Sequence, residues 1–294
     1  MAGAIRSIRE SLSWGCGVLG GGDTAYLEAE ILLSKVIARS REFMLAHGEE
    51  PLTESAYGEF ASMVDKRSST GVPVAYLVGH REFNGLDFIV RVGVLVPRPE
   101  TETLVGEVQV WVAENGAQFS GAALVDAGCG SGIIAVALAK TTGRQVLATD
   151  ISPVALEVAR ENAVLHGVID RVVLLRGSWL EPVRSGSALP PIFVVVSNPP
   201  YIPTPVIASL ARDVRDFEPS EALDGGTDGL DSIREVAVQA YDLLLPQGLL
   251  AMEIGDDQAA AVEALLMGQG WTGIRTIKDM AGLSRVILAQ KAHK

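Results

Sequence analysis

Asn198-Pro199-Pro200-Tyr201 follows PIFVVVS, an apolar, β-branched run that reads as a buried strand. Neither proline can donate a backbone hydrogen bond, and each restricts the residue before it. A strand that ends this way gains a stiff turn. Asn198 presents a carbonyl oxygen and an NH2 group, Pro199 a carbonyl with no N–H beside it, and Tyr201 a flat ring. Two acceptors converging on one NH2 group suit a planar, conjugated nitrogen. Such a nitrogen is a weak nucleophile because its lone pair is delocalised. Accepting both N–H protons favours a tetrahedral nitrogen whose lone pair can attack in line. Positioning and electrostatics then carry much of the rate. The alternative is a proline-rich turn that only ends a strand.

A second stretch, VDAGCGSG, runs from Val125 to Gly132. Gly128, Gly130 and Gly132 let the backbone turn sharply and approach a ligand closely, with Cys129 and Ser131 between them. The loop opens onto a helix N-terminus, which favours negative or electron-rich groups. The spacing is G-x-G-x-G, and Ile133 stands where the dinucleotide fingerprint G-x-G-x-x-G does not continue to glycine. Asp150 ends the next strand, where an acid takes ribose hydroxyls in a fold of this kind. It also reads as a cap for the helix after Asp-Ile-Ser. Loop and acid together point to the adenosine of a nucleoside cofactor rather than to a pyrophosphate. Cys129 has no base near it in sequence and reads as a small packing side chain, not a nucleophile.

The elements that must position these residues alternate from about residue 120 onward. ALVDAGCGSG is strand and loop, IIAVALAK helix, QVLATD strand, and PVALEVARENAVLHG a helix with Pro153 in its first turn. VVLLRG, PIFVVVS and GLLAMEIG are strands; DSIREVAVQAYDLL and QAAAVEALLMGQG are helices; GIRTIKD and SRVILAQ close as a hairpin. Such alternation predicts a largely parallel sheet covered on both faces, with ligands beyond the carboxyl ends of its strands at the switch point. Upstream, residues 24–70 read as helices, one capped by Asp23 or Thr24 and another by Thr53. FIVRVGVLVPRPETE reads as a hairpin or ribbon broken at Gly93, leading into a helix.

Composition sets the bounds. The chain has 294 residues, 48% of them hydrophobic, which implies a globular protein with room for two domains. A net charge of -12 argues against bulk nucleic-acid binding, which works through basic patches that release counterions. Two cysteines, Cys16 and Cys129, give neither a disulfide framework nor a CxxC pattern, and four scattered histidines suggest no metal. No apolar run has membrane-spanning length, and the N-terminus is a poor signal peptide. The expectation is a cytoplasmic protein without membrane or metal.

DAGCGSG with SNPPY resembles the class I S-adenosylmethionine-dependent methyltransferases that act on planar NH2 groups. GVPVAYLVGHREFNGLDF, VLVPRPETETLV, VSNPPYIP, FEPSEALDGGTDGLDSIR and MEIGDDQ narrow the likeness to the HemK/PrmC family of peptide chain release factor glutamine N5-methyltransferases, in the family's order from about residue 23 to the end. The resemblance implies an α/β fold. A Rossmann-like, seven-stranded methyltransferase domain spans 101–294, a β-hairpin linker 76–100, and a helical bundle that holds the substrate protein 1–75. It implies S-adenosylmethionine as cofactor and methylation of the glutamine of the Gly-Gly-Gln motif in a release factor. The expectation is a monomer without metal. Gly128, Cys129, Gly130, Ser131, Gly132 and Asp150 then hold the cofactor, with Trp179 beside the adenine and Asn198 near the methyl donor. Asn198, Pro199, Pro200 and Tyr201 bind the glutamine, and residues 98–102 either close over the cofactor or only start a helix. Trp179 also reads as a core tryptophan. Ser178 replaces the acid often found before that tryptophan, and Val194 the aspartate of a Phe-Asp pair that often opens the strand before Asn-Pro-Pro-Tyr. Methylation of a ribosomal-protein glutamine, or of adenine N6 in nucleic acid, shares the same motif logic.

Overall fold

The computed structural model describes residues 6–186 and 189–293. The chain divides into two units: Met1–His80 with Ala211–Phe217, and Arg81–Leu210 with Glu218–Lys294.

The first unit is helical: α1 (Ile8–Val18), α2 (Gly22–Ile37), α3 (Arg41–Ala46), α4 (Glu54–Thr70) and α5 (Val74–Val78). Its helix starts follow the sequence chemistry. Ser7 and Glu10 form a reciprocal capping box on α1, Ser40 caps α3, and Thr53 caps α4 by accepting from the Ala56 N–H at 3.2 Å. The start of α2 is a correction. Neither Asp23 nor Thr24 caps it; the helix begins at Gly22, behind Gly21, with no side-chain cap. Gly20, Gly21 and Gly22 all take positive φ, so the chain turns into the helix before either polar residue reaches the cap position. Leu32, Leu33, Phe60 and Val64 are fully buried at the centre. Arg67 pairs through both ends of its guanidinium with Glu28, at 3.0 and 2.7 Å.

The second unit opens with a hairpin, β1 (His80–Phe83) and β2 (Leu86–Ile89). The expectation of a hairpin within FIVRVGVLVPRPETE is corrected here, since residues 90–100 hold no strand. The turn is Asn84-Gly85, both at positive φ, the pair a two-residue type I′ turn requires. At Ile89, where β2 ends, a side chain takes the place of a neighbouring strand. Asn162 accepts from the Ile89 N–H at 2.8 Å and donates to the Ile89 carbonyl at 3.0 Å, as a neighbouring strand would.

The remaining strands are β3 (Ala123–Ala127), β4 (Val146–Asp150), β5 (Val172–Arg176), β6 (Ile192–Ser197), β7 (Leu244–Glu253), β8 (Thr272–Lys278) and β9 (Ser284–Gln290). They form one seven-stranded sheet in the order β5-β4-β3-β6-β7-β9-β8. β9 runs antiparallel to both β7 and β8, and the other pairs are parallel. β3 and β6 are buried throughout, which is why both read as unbroken apolar runs. Successive residues of β3 serve opposite faces. Leu124 joins the core under α6 (Thr101–Asn115), α7 (Ile133–Thr142) and α8 (Pro153–Leu165). Ala123 and Val125 join the core under α12 (Asp231–Leu243) and α13 (Ala259–Gly268). Shorter helices are α9 (Glu181–Ser185) and α10 (Thr204–Ile207) in this unit and α11 (Arg212–Arg215) in the first. The strand order reverses direction between β3 and β6, so a crevice opens at their carboxyl ends. No helix among the described residues is long and apolar enough to cross a membrane.

Candidate active site

The loop after β3 is held by the strand beside it. The Gly128 and Cys129 N–H groups both donate to the Thr149 carbonyl on β4, each at 2.9 Å. Gly128, Gly130 and Gly132 all take positive φ. A Cβ on Gly132 would stand 2.8 Å from the Ala159 Cβ and 3.0 Å from its Cα, so this glycine lets α7 start against α8. A Cβ on Gly128 would meet the Trp179 ring at 3.0 Å, and one on Gly130 would point into open space.

Asp150 ends β4 and turns back onto the loop. One carboxylate oxygen accepts from the Gly130 N–H at 2.9 Å, the other from the Ser152 N–H at 2.8 Å. Burial pushes its carboxyl up, and these N–H groups oppose the shift. The helix cap is Ser152, whose hydroxyl accepts from the Ala155 N–H. Asp150 is therefore not the side-chain cap of α8, and its remaining lone pairs are left for a ligand.

A cavity of about 530 Å³ opens along this edge of the sheet. Gly128, Cys129, Gly130, Ser131, Asp150 and Trp179 line one part of it. Asn198, Pro200, Arg98 and Thr101 line another, and Ile151, Val154 and Leu95 add apolar wall. Gly132, Pro199 and Tyr201 are not among the lining residues. Cys129 is buried, and burial, with Asp126 and Asp150 nearby, pushes its thiol well up. The thiolate is disfavoured there, which fits a packing role.

The turn after β6 is anchored from three sides. The Ser197 hydroxyl donates to the Ala127 carbonyl at 2.6 Å and so ties the ends of β6 and β3 together. The Asn198 NH2 donates to the Thr101 hydroxyl at 3.1 Å. Thr101 in turn donates to Glu253 at 2.6 Å, and the Tyr201 hydroxyl donates to the other oxygen of Glu253 at 3.0 Å. Burial, with Glu253 beside it, pushes the Tyr201 phenol up, so it stays a neutral donor.

Four residues of this site escaped the sequence reading as individual contributors. Glu253 lies in MEIGDDQ and Glu218 in FEPSEALDGG, noticed only as blocks of family likeness. Glu218 is buried and takes the Arg98 guanidinium on both oxygens, at 2.7 and 2.8 Å. Thr101, fully buried, stood in PRPETE without a role of its own. Asn162, also fully buried, donates to the Ser131 carbonyl at 2.9 Å, and so joins the glycine loop to the end of β2. No group of three or more His, Cys, Asp or Glu side chains among the described residues could hold a metal ion.

Residues 10–79 match the family described as PrmC N-terminal domain, and residues 112–221 match the ribosomal protein L11 methyltransferase (PrmA) family. Among solved structures, a methyltransferase from Pyrococcus furiosus aligns with 71% of this chain and 91% of its own, at TM-score 0.50 and 19% identity. The N-terminal domain of human METTL16 in complex with SAH aligns with 89% and 94%, at TM-score 0.53 and 13% identity. At such identities these two speak for the methyltransferase fold alone. Relatives named release factor glutamine methyltransferase extend over nearly the whole chain. The Moorella thermoacetica protein is 44% identical over 94% of both chains, and the Geobacter sulfurreducens protein 39% identical over 96% of both. With that identity over that length, this chain belongs to the release factor glutamine methyltransferase family.

Proposed function

We propose that this chain transfers a methyl group from S-adenosylmethionine to the side-chain amide nitrogen of the glutamine in a release factor's Gly-Gly-Gln motif. The observation that carries the reading is the meeting of two features at the switch point: a glycine-and-aspartate cavity, and an asparagine whose carbonyl oxygen accepts nothing from the described residues.

The cavity fits the cofactor. Its volume suits a nucleoside with an amino-acid tail. Asp150 keeps free lone pairs for a pair of ribose hydroxyls, while Ile151 and Trp179 offer apolar surface for a base. The glycine backbone at 128 and 130 allows close approach, and the loop is already fixed by its bonds to Thr149 and Asp150. Ser178 also lines the cavity and supplies a hydroxyl in place of a carboxylate. Bound there, the cofactor supplies an electrophilic methyl group on a positively charged sulfur.

The chain's own residues then orient the nucleophile. Asn198 Oδ1 and the Pro199 carbonyl accept the two protons of the glutamine NH2 and turn its lone pair toward the methyl group. The two prolines keep these acceptors from relaxing away. Tyr201, its hydroxyl held on Glu253, sets its ring against the planar amide. No base has to act first, because the proton leaves a nitrogen made acidic by alkylation. Residues 1–75 serve to hold the release factor, a role supported by the PrmC N-terminal domain match. The enzyme works as a cytoplasmic monomer.

The test is a substrate panel. Purified protein with isotope-labelled cofactor is offered a release factor, ribosomal proteins or duplex DNA in parallel. Label is expected on the release factor. Label on DNA, or on ribosomal protein alone, would overturn the reading.

A further inference from the structure

The active-site asparagine has two chemically opposite ends, and only one suits the task. If Asn198 faced the substrate with its NH2 group, donor would meet donor. Three elements decide the matter: the end of β6, the end of β7 and the start of α6. In the β6–β7 ladder Ser197 lies opposite Met252, which carries Asn198 alongside Glu253. Thr101 is the first residue of α6 and stands between them.

With Glu253 ionised, the proton count leaves one arrangement. Burial pushes the Glu253 carboxyl up, and the hydroxyls of Thr101 and Tyr201 that it accepts from oppose that shift. As a carboxylate it can only accept. It takes the single Thr101 hydroxyl proton at 2.6 Å and the Tyr201 proton at 3.0 Å. Thr101 then has nothing but lone pairs to offer Asn198, so the group facing it at 3.1 Å must be the NH2. The Asn198 carbonyl oxygen is thereby turned the other way. Thr101 and Glu253 are both fully buried, so water cannot substitute cheaply for either partner.

We propose that Thr101 and Glu253 are positioning residues: their hydrogen-bonded chain fixes which end of the Asn198 amide faces the substrate nitrogen, and the same carboxylate sets the Tyr201 ring. The inference rests on the reading of Asn198 as the acceptor for the glutamine NH2. Thr101→Val keeps the shape and removes the acceptor. Thr101→Ser keeps the hydroxyl. Glu253→Gln offers the chain a donor as well as an acceptor, so the order of donors is no longer imposed.

The experiment has two arms. In the first, side-chain NH2 exchange with solvent is followed by NMR on the full chain without substrate, with the Asn198 signals assigned by their loss in Asn198→Asp. One Asn198 proton should be protected in the wild type and in Thr101→Ser, and unprotected in Thr101→Val. In the second arm, kcat and KM for methylation of a release factor are measured together with cofactor Kd. Thr101→Val and Glu253→Gln should lower kcat by about tenfold or more, the scale of one lost hydrogen bond to a reacting group, while Kd stays within about twofold. Thr101→Ser should recover most of the rate. Unchanged exchange in Thr101→Val, or an unchanged kcat, overturns the inference, and so does a Thr101→Ser as slow as Thr101→Val. An unchanged kcat in Glu253→Gln removes Glu253 from it. A wild-type enzyme that methylates no glutamine sinks the substrate reading instead, and the NMR arm still decides the orientation.

Discussion

Gly132→Ala and Gly130→Ala separate two things a glycine loop can do. Both residues have positive φ, at 81° and 53°, so each alanine incurs the left-handed penalty of roughly 1–2 kcal/mol. Each also gains roughly 0.4–1 kcal/mol from a less flexible unfolded chain. The surroundings then differ. A methyl on Gly132 would stand 2.8 Å from the Ala159 Cβ and 3.0 Å from its Cα. No rotamer relieves contact with a backbone atom, so α7 and α8 must part. Overpacking of that kind adds roughly 1–3 kcal/mol. A methyl on Gly130 meets nothing within 4 Å. Gly132→Ala should therefore cost about 1–4.6 kcal/mol in total and Gly130→Ala about 0–1.6 kcal/mol. Urea unfolding without cofactor, compared at equal m-values, reads the difference. Cofactor titration should rank the two in the opposite sense relative to stability. Gly130 lines the cavity, so a methyl added there should lower affinity by more than the small loss of stability accounts for. Equal stability costs within about 0.5 kcal/mol would refute the assignment of Gly132 to helix packing, since the overlap term would then be missing.

Asn198→Ala should abolish methyl transfer and weaken cofactor binding several-fold at most, by turnover and by isothermal titration; surviving activity removes Asn198 from its role. Asp150→Asn leaves one oxygen to serve both the Gly130 and Ser152 N–H groups and turns an NH2 toward one of them. Cofactor Kd should rise by about 10- to 160-fold, in line with roughly 1.5–3 kcal/mol for hydrogen bonds to a charged group; a change below about twofold would contradict the ribose role. Asp126 has one oxygen on the Ala135 N–H and the other buried without a partner among the described residues, and burial lifts its carboxyl from 3.8 to about 7. A folded-state pKa raised this way makes wild-type stability fall as pH rises from about 4 to 7. The advantage of Asp126→Asn over wild type should grow across that window and level off above it. Its ceiling is about 4 kcal/mol, from roughly 1.4 kcal/mol per pH unit. Paired thermal melts across the range check this, and a flat difference would contradict it.

The two motifs that meet at the candidate site were legible because each is local. SNPPY and DAGCGSG each carry their acceptors, turn residues and neighbouring strand within about ten residues. Alternating apolar periods likewise announced the parallel sheet, since β3 and β6 are buried on both faces. What could not be read were partners brought together by topology. Thr101 and Glu253 lie 152 positions apart, Asn198 and Thr101 97 apart, and Asn162 reaches 73 positions back to Ile89. No local period reports such pairs. The hairpin shows a different failure. The β-branched run at 88–96 pointed to the wrong segment: Asn84-Gly85 carried the turn signal, and Asn162 meets the end of the strand from a helix far along the chain.

The most direct test of the account is fragmentation mass spectrometry on a release factor after reaction with this enzyme and S-adenosylmethionine. One added methyl group is expected on the side-chain nitrogen of the glutamine in the Gly-Gly-Gln motif, absent when Asn198→Ala replaces the wild type. A methyl group on another residue, or the same product from Asn198→Ala, would contradict the account.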